Sequence, residues 1–339
     1  MTAVRPLRLG LMSFAHLHAE GYAGLLGALP GVEYVGFSDD DAERGRAIAA
    51  RFPGRFVGDH AALLAEGVDG VIVCSENARH LPLIEMTAAR GVHVLCEKPL
   101  ATTPEDAHAA LAAAEKGGIG LYTAFPMRFN APTLETRRFL HAGGLGRVWA
   151  ANGTNQGECP EHHRAWFTDP ALAGGGAVAD HTVHLADLLR WICASEPVEV
   201  FAETNTVLYP HVGARGVETG GLLSIAFADG LFATLDCSWS KPPYYPTWGG
   251  LTLQFVGEKG VVSLDAFRQK LTVYREEAVR PVFAGWASDA NAAMLAAFAA
   301  ALRGETTALA TGHDGARAVA VVAAAYESAR TGQPARVQA

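Results

Sequence analysis

The sequence has few cysteines, little charge and no long apolar run. Five cysteines (Cys74, Cys96, Cys159, Cys193, Cys237) are scattered over 339 residues, odd in number and with no Cys-x-x-Cys pair. That excludes a disulfide framework and fits a reducing cytoplasm. The longest apolar runs, such as Ala318 to Tyr326, fall well short of the roughly 18 residues that span a bilayer, so no membrane role is expected. Met1 to Arg8 carries two arginines but leads into a strand-like run, not a signal-peptide core. The 27 Lys and Arg against 35 Asp and Glu give a net charge of −8 with no long basic stretch, which argues against nucleic acid as a partner. What is present is a half-apolar chain, more than twice the common domain size of about 100–150 residues. Two domains are expected.

Short apolar runs alternate with alanine-rich amphipathic stretches in the first third. Strands are predicted at Leu7 to Met12, Glu33 to Ser38, Val68 to Cys74 and His93 to Cys96. Helices are predicted at His18 to Leu29, Asp41 to Phe52, Arg79 to Arg90 and Pro104 to Lys116, the last capped by Thr103. This alternation predicts a parallel sheet flanked by helices. After about Ala124 the pattern changes. Helices at Asn130 to Ala142 and Val178 to Cys193 are followed by extended runs at Val198 to Leu208, Gly221 to Phe227, Phe232 to Trp239, Leu251 to Gly257, Val261 to Leu264 and Lys270 to Arg275. Short turns between such runs predict an antiparallel sheet, with helices returning at Asp289 to Leu302 and Asp314 to Arg330. The fold class is therefore α/β, with domains at 1–124 and 125–339.

A dinucleotide site needs a strand, a tight glycine turn and a helix N-terminus for the pyrophosphate. The three glycines would fall at positions that hold Ser13, Ala15 and His18. Ser and Ala are still small enough for a phosphate to approach, so the turn Ser13, Phe14, Ala15 and His16 is the candidate cradle. Asp39 ends the second strand where an acid should take the ribose 2′-hydroxyl. With Asp40 and Asp41 it would repel a 2′-phosphate, which favours NAD over NADP. The alternative is an ordinary parallel domain with Asp39 as a solvated loop acid.

Two further segments bear on chemistry. The strand ending at Cys96 runs into Glu97-Lys98-Pro99, and the C-terminal ends of parallel strands are where such sheets bind ligands. Gly174 to Gly176 precedes a helix on which Asp180 and His184 stand four apart, with Asp187 a turn further. A carboxylate beside an imidazole orients it for proton transfer; the competing reading is a capping Asp180 and an incidental histidine.

Together these segments resemble the Gfo/Idh/MocA family of oxidoreductases. The resemblance runs through Val68 to His80, "GVHVLCEKPLATTPEDA" (Gly91 to Ala107), Arg128 in "FPMRFNAP", "GGGAVADHTVHLADLLRW" (Gly174 to Trp191), "FVGEKGVVSLD" (Phe255 to Asp265) and the closing "AAAYESARTGQPARV". It implies an N-terminal Rossmann domain and a C-terminal α/β domain with a large, mostly antiparallel sheet, whose open face commonly joins subunits into a homodimer or homotetramer. It implies that Lys98, Asp180 and His184 line the site where nicotinamide meets substrate, with Ser75, Asn77, His80 and Glu97 on the cofactor side.

The expected reaction is hydride transfer between NAD and a secondary hydroxyl of a sugar or polyol. His184 would act as base, Asp180 would hold its ring, and Lys98 would stabilise the alkoxide. The polar stretch Glu158 to Trp166 offers His162, His163, Arg164 and Trp166 to sugar hydroxyls, with His181 beside them, and Arg128 to a substrate carboxylate. The other reading of that stretch is an exposed loop. Thirteen histidines invite a metal reading, with His16 and His18 in the turn, His181 and His184 on one helix, and Glu158, His162 and His163 as ligands that could complete a zinc site; the sequence offers no compact ligand set, and no metal is expected. Two other functions fit the same residues: an NAD-dependent glycosidase using transient oxidation, and a non-catalytic nucleotide- or sugar-binding module.

Overall fold

A computed structural model describes residues 5–247, 249–274, 282–285 and 288–338; Arg275, at the end of one expected strand, lies outside them. In chain order the first elements are β1 (Leu7–Met12), α1 (His18–Leu26), β2 (Val32–Ser38), α2 (Ala42–Ala49), α3 (His60–Ala65), β3 (Gly70–Val73), α4 (His80–Ala88), β4 (His93–Cys96), α5 (Pro104–Gly117) and β5 (Leu121–Thr123). Then come α6 (Ala131–His141), β6 (Val148–Glu158), α7 (Pro170–Ala173), α8 (Ala177–Cys193), β7 (Pro197–Asn205), α9 (Pro210–Gly213), β8 (Gly220–Phe227) and β9 (Phe232–Lys241). The last are β10 (Gly249–Gly257), β11 (Gly260–Asp265), β12 (Lys270–Val273), β13 (Val282–Gly285), α10 (Ala290–Leu302), β14 (Ala310–Thr311), α11 (Gly312–Thr331) and β15 (Ala335–Arg336).

The chain forms two compact units, Met1–Pro126 with Asn291–Ala316, and Met127–Ala290 with Arg317–Ala339. The first holds a six-stranded sheet in the order β14-β5-β4-β3-β1-β2. Strands β1 to β5 are parallel, and β14 is antiparallel to β5. Leu9, Leu11, Val71, Ile72, Val94 and Leu95 are fully buried, as expected where helices cover both faces. Local chemistry fixes the helix ends. Asp41 accepts the amides of Glu43 and Arg44, and Thr103 accepts that of Asp106. Gly118 closes α5 in the left-handed conformation. The returning α10 belongs to this unit because Gly70 leaves room for Phe298 and Leu302, each 3.0 Å from where a Cβ would stand.

The second unit holds a seven-stranded sheet in the order β11-β10-β6-β9-β8-β7-β15. Every pair is antiparallel except β6 with β9. One face carries α8, whose Val183, Leu185, Leu188 and Leu189 are fully buried. The central strand β6 has no counterpart among the expected strands. Its run Asn152-Gly153-Thr154-Asn155-Gln156-Gly157 is poor in strand-forming side chains. The reason is packing: a Cβ on Gly153 would lie 2.9 to 3.3 Å from Leu235, Leu253 and Leu185. Here the helix and two neighbouring strands fill the space of a side chain. The opposite face presents Leu222, 65% exposed, with Phe232 and Phe201.

Candidate active site

In the N-terminal unit the strand ends of β1, β2 and β4 bring together one set of candidate residues. Ser13 holds φ at +70°, a left-handed backbone that favours glycine, so the turn keeps its shape without the first fingerprint glycine. The Ser13 hydroxyl accepts the Ala15 amide at 3.1 Å. The Phe14 amide donates to Asp39 at 2.8 Å. Asp39 is only 3% exposed and also accepts the Asp41 amide at 2.9 Å and the Arg44 fork at 2.7 to 3.1 Å. Arg44 reaches Asp40 at 2.9 Å, and Asp40 also pairs with Arg79. Asp39 is thus tied to the turn and neutralised from within the chain, a role its position in the sequence did not reveal.

At the other end of the same turn stands Glu97, fully buried. It accepts from Tyr22 Oη at 2.7 Å, His18 Nδ1 at 3.1 Å and the Lys98 amide at 3.2 Å, and His16 Nε2 stands 3.9 Å away. Burial alone would raise this carboxyl, but His18, His16 and Tyr22 outweigh it and hold it well below the usual carboxylate range. His16, His18 and Glu97 are close enough together to suggest a metal. However, His16 Nδ1 accepts the His18 amide at 3.2 Å, so a neutral His16 keeps its proton on Nε2, the nitrogen facing Glu97. The cluster reads as a hydrogen-bond network that fixes Glu97 beside Lys98. His80, kept neutral by burial, bonds through Nδ1 to the Pro99 carbonyl at 2.9 Å. Lys98 is 5% exposed and Asn77 is buried; Ser75 donates to the Glu76 carbonyl at 3.2 Å.

In the C-terminal unit α8 carries Asp180, His181, His184 and Asp187. Asp180 Oδ2 accepts from Trp239 Nε1 at 3.3 Å and lies 3.3 Å from His181 Nε2. His181 is buried, with its Nε2 turned to Asp180. Asp187 is fully buried and takes the Arg128 fork at 2.8 Å (Nε) and 2.5 Å (Nη2), with Arg128 also 5.3 Å above the Trp191 ring. The guanidinium expected to meet a substrate carboxylate is therefore occupied by the chain's own. In the loop after β6, His162 and His163 are exposed, with ring centroids 3.9 Å apart and planes tilted by 42°, and His162 Nε2 is 3.6 Å from Glu158. Trp166 instead lies buried, stacked on Phe167 at 4.0 Å. Glu161 anchors this loop through His211 at 2.9 Å and Arg215, and Arg164 is partly exposed.

Comparison with known proteins identifies the two halves. Residues 12–125 match the oxidoreductase family with an NAD-binding Rossmann fold, and residues 133–263 match the GFO/IDH/MocA C-terminal domain. A 1,5-anhydro-D-fructose reductase of Ensifer adhaerens is 30% identical over 338 residues, 98% of each chain. Inositol 2-dehydrogenase 2 of Saccharopolyspora erythraea is 28% identical, covering 98% of this chain and 96% of that protein. The solved structure of GenD2 from gentamicin A biosynthesis, in complex with NAD, superposes with a TM-score of 0.87 at 25% identity, covering 100% of this chain and 98% of that one. Matched by both family models and 30% identical to the reductase over 98% of each chain, the chain belongs to the GFO/IDH/MocA oxidoreductases and is an NAD-binding enzyme.

Proposed function

We propose that this enzyme transfers a hydride between NAD and a secondary hydroxyl carbon of an uncharged sugar or polyol. The observation that carries the reading is the presence of Lys98, Asp180 and His184 in a chain whose relatives are named as dehydrogenases and reductases of such compounds. NAD supplies the hydride acceptor; the protein supplies the proton path and the field. His184 takes the hydroxyl proton, Asp180 orients the α8 side chains around it, and the Lys98 ammonium stabilises the developing alkoxide. Ser13, Phe14, Ala15 and His16 hold the pyrophosphate, while Ser75, Asn77, His80 and Glu97 frame the nicotinamide end. His162, His163 and Arg164 contact the substrate, and Trp166 and His181 shape their surroundings. An uncharged substrate is favoured because the Arg128 fork is filled by Asp187.

A screen of sugars, polyols and sugar acids with NAD, followed by reduced-cofactor absorbance, tests this. Turnover of neutral compounds ahead of acids is expected. Cleavage of an aryl glycoside without net NAD reduction, or no turnover with intact NAD binding, would overturn it.

Cofactor choice gives a second test. Asp39→Ser removes a fixed negative charge and releases Arg44 toward a 2′-phosphate. Like-charge contacts cost several kcal/mol, so the NADP-to-NAD ratio of kcat/KM should rise on the order of a hundredfold. An unchanged ratio would mean that Asp39 does not govern the choice.

Assembly and location complete the proposal. Leu222, Phe232 and Phe201 on the open sheet face support a homodimer or homotetramer joined through that face. The cysteines are all free thiols, which supports a cytoplasmic location. Among the described residues no helix is long and apolar enough to cross a membrane.

A further inference from the structure

The helix that carries Asp180 and His184 starts without a local cap. Gly176, at its N-cap, has no side chain to offer, yet the amides of the first turn need acceptors. They find them far away in sequence. Ala177 N donates to the Glu218 carbonyl at 3.1 Å, and Val178 N to Glu218 Oε1 at 2.8 Å. Ala179 N donates to Tyr326 Oη at 3.2 Å. Gly176 N is shared between both Glu218 oxygens, at 3.1 and 3.2 Å, and Tyr326 Oη at 3.3 Å. Tyr326 Oη in turn donates to Glu218 Oε1 at 3.0 Å.

Other observations agree with this arrangement. A Cβ on Gly176 would lie 1.9 Å from the Glu218 carbonyl oxygen, and one on Gly175 would lie 1.9 Å from Tyr326 Oη. The glycine run before α8 is what lets both residues sit on the backbone. Burial pushes the Tyr326 phenol well above its ordinary range beside Glu218, so it stays protonated and able to donate. Burial also raises the Glu218 carboxyl.

We infer that Glu218 and Tyr326 are positioning residues for the reaction, forming a remote cap that sets where α8 begins and hence where Asp180 and His184 stand. The inference rests on the proposed roles of those two side chains. A slip of α8 by one residue against this cap would move every side chain on it by about 1.5 Å along the axis and about 100° around it. Displacements of about 1 Å cost about a hundredfold in well-oriented reactions. The cap also fills the helix N-terminus with the chain's own carboxylate.

The test uses the full-length enzyme as Glu218→Ala, Glu218→Gln and Tyr326→Phe. Amide exchange of residues 177–180 reads the cap directly; kcat, both KM values and NAD affinity read its effect. In the Ala and Phe variants, exchange should accelerate and kcat should fall about 10- to 100-fold, with KM values and NAD affinity within about twofold. Gln, which keeps an acceptor oxygen, should recover much of the kcat. Exchange unchanged in both Ala and Phe variants overturns the inference, as does kcat unchanged with exchange accelerated. A Gln variant with normal exchange but the full loss of kcat also overturns it, pointing to charge instead. Should the Ala variant fail to fold, Tyr326→Phe decides by the same two readouts. A wild type without sugar or polyol turnover refutes the functional reading instead, and the exchange data then decide the cap alone.

Discussion

Replacing His184 or Lys98 by alanine should reduce turnover by about a thousandfold or more while leaving NAD affinity within about threefold. Positioned proton transfer contributes about 10²–10⁴, and a preorganised charge facing a developing oxyanion about 10²–10³. Cofactor affinity should survive because the groups proposed to hold the pyrophosphate lie in the β1–α1 turn. Neither variant should unfold: His184 is partly exposed, and the Lys98 segment is anchored by the Lys98 backbone amide on the Glu97 carboxylate and by the Pro99 carbonyl on the His80 ring. Steady-state assays with NAD titration by calorimetry would check this. Turnover in both variants close to wild type would remove the two side chains from the chemistry and leave the fold as a scaffold for another site.

Breaking the Arg128–Asp187 pair should cost stability more than any other single change considered. Asp187 is fully buried and Arg128 nearly so, and removing one partner leaves the other as an uncompensated charge. Such losses run to about 3–5 kcal/mol, which for a unit of this size corresponds to a fall in Tm on the order of 10 °C. Arg128→Met and Asp187→Leu should each show it. The double variant should be less damaged than the sum of the two, because it buries no lone charge. Singles that cost under about 1 kcal/mol, or a fully additive double, would mean that the pair is solvated in solution.

Four strands of the first unit were legible because parallel strands buried on both faces read as apolar runs, whereas the short β5 and β14 were not. Leu7 to Met12 and His93 to Cys96 coincide with β1 and β4. Thr103 was legible as a cap because its bond partner is three residues away. The β6 strand was not, since its glycine answers to leucines on three other elements. The candidate site divides the same way. Asp180 and His184 follow from spacing along one helix, as does Asp187, but its partner Arg128 is 59 residues away. Glu218 and Tyr326 leave one local hint, a helix that begins on three glycines with nothing nearby to cap it. Asp39 stood at the expected place, yet its link to Arg44 depends on how α2 turns, which the acidic run alone did not indicate.

The discontinuous N-terminal unit has a consequence for biosynthesis. Its edge strand β14 and the helix α10 that covers Gly70 come from residues beyond 290. At a translation rate of about 5–20 residues per second, the ribosome needs roughly ten to forty seconds to go from residue 126 to 316. Throughout that interval the nascent Rossmann sheet has an unpaired edge at β5 and an uncovered apolar patch around Tyr122. The N-terminal unit therefore completes its sheet only after residues 291–316 have been made, when most of the C-terminal unit has already been synthesised.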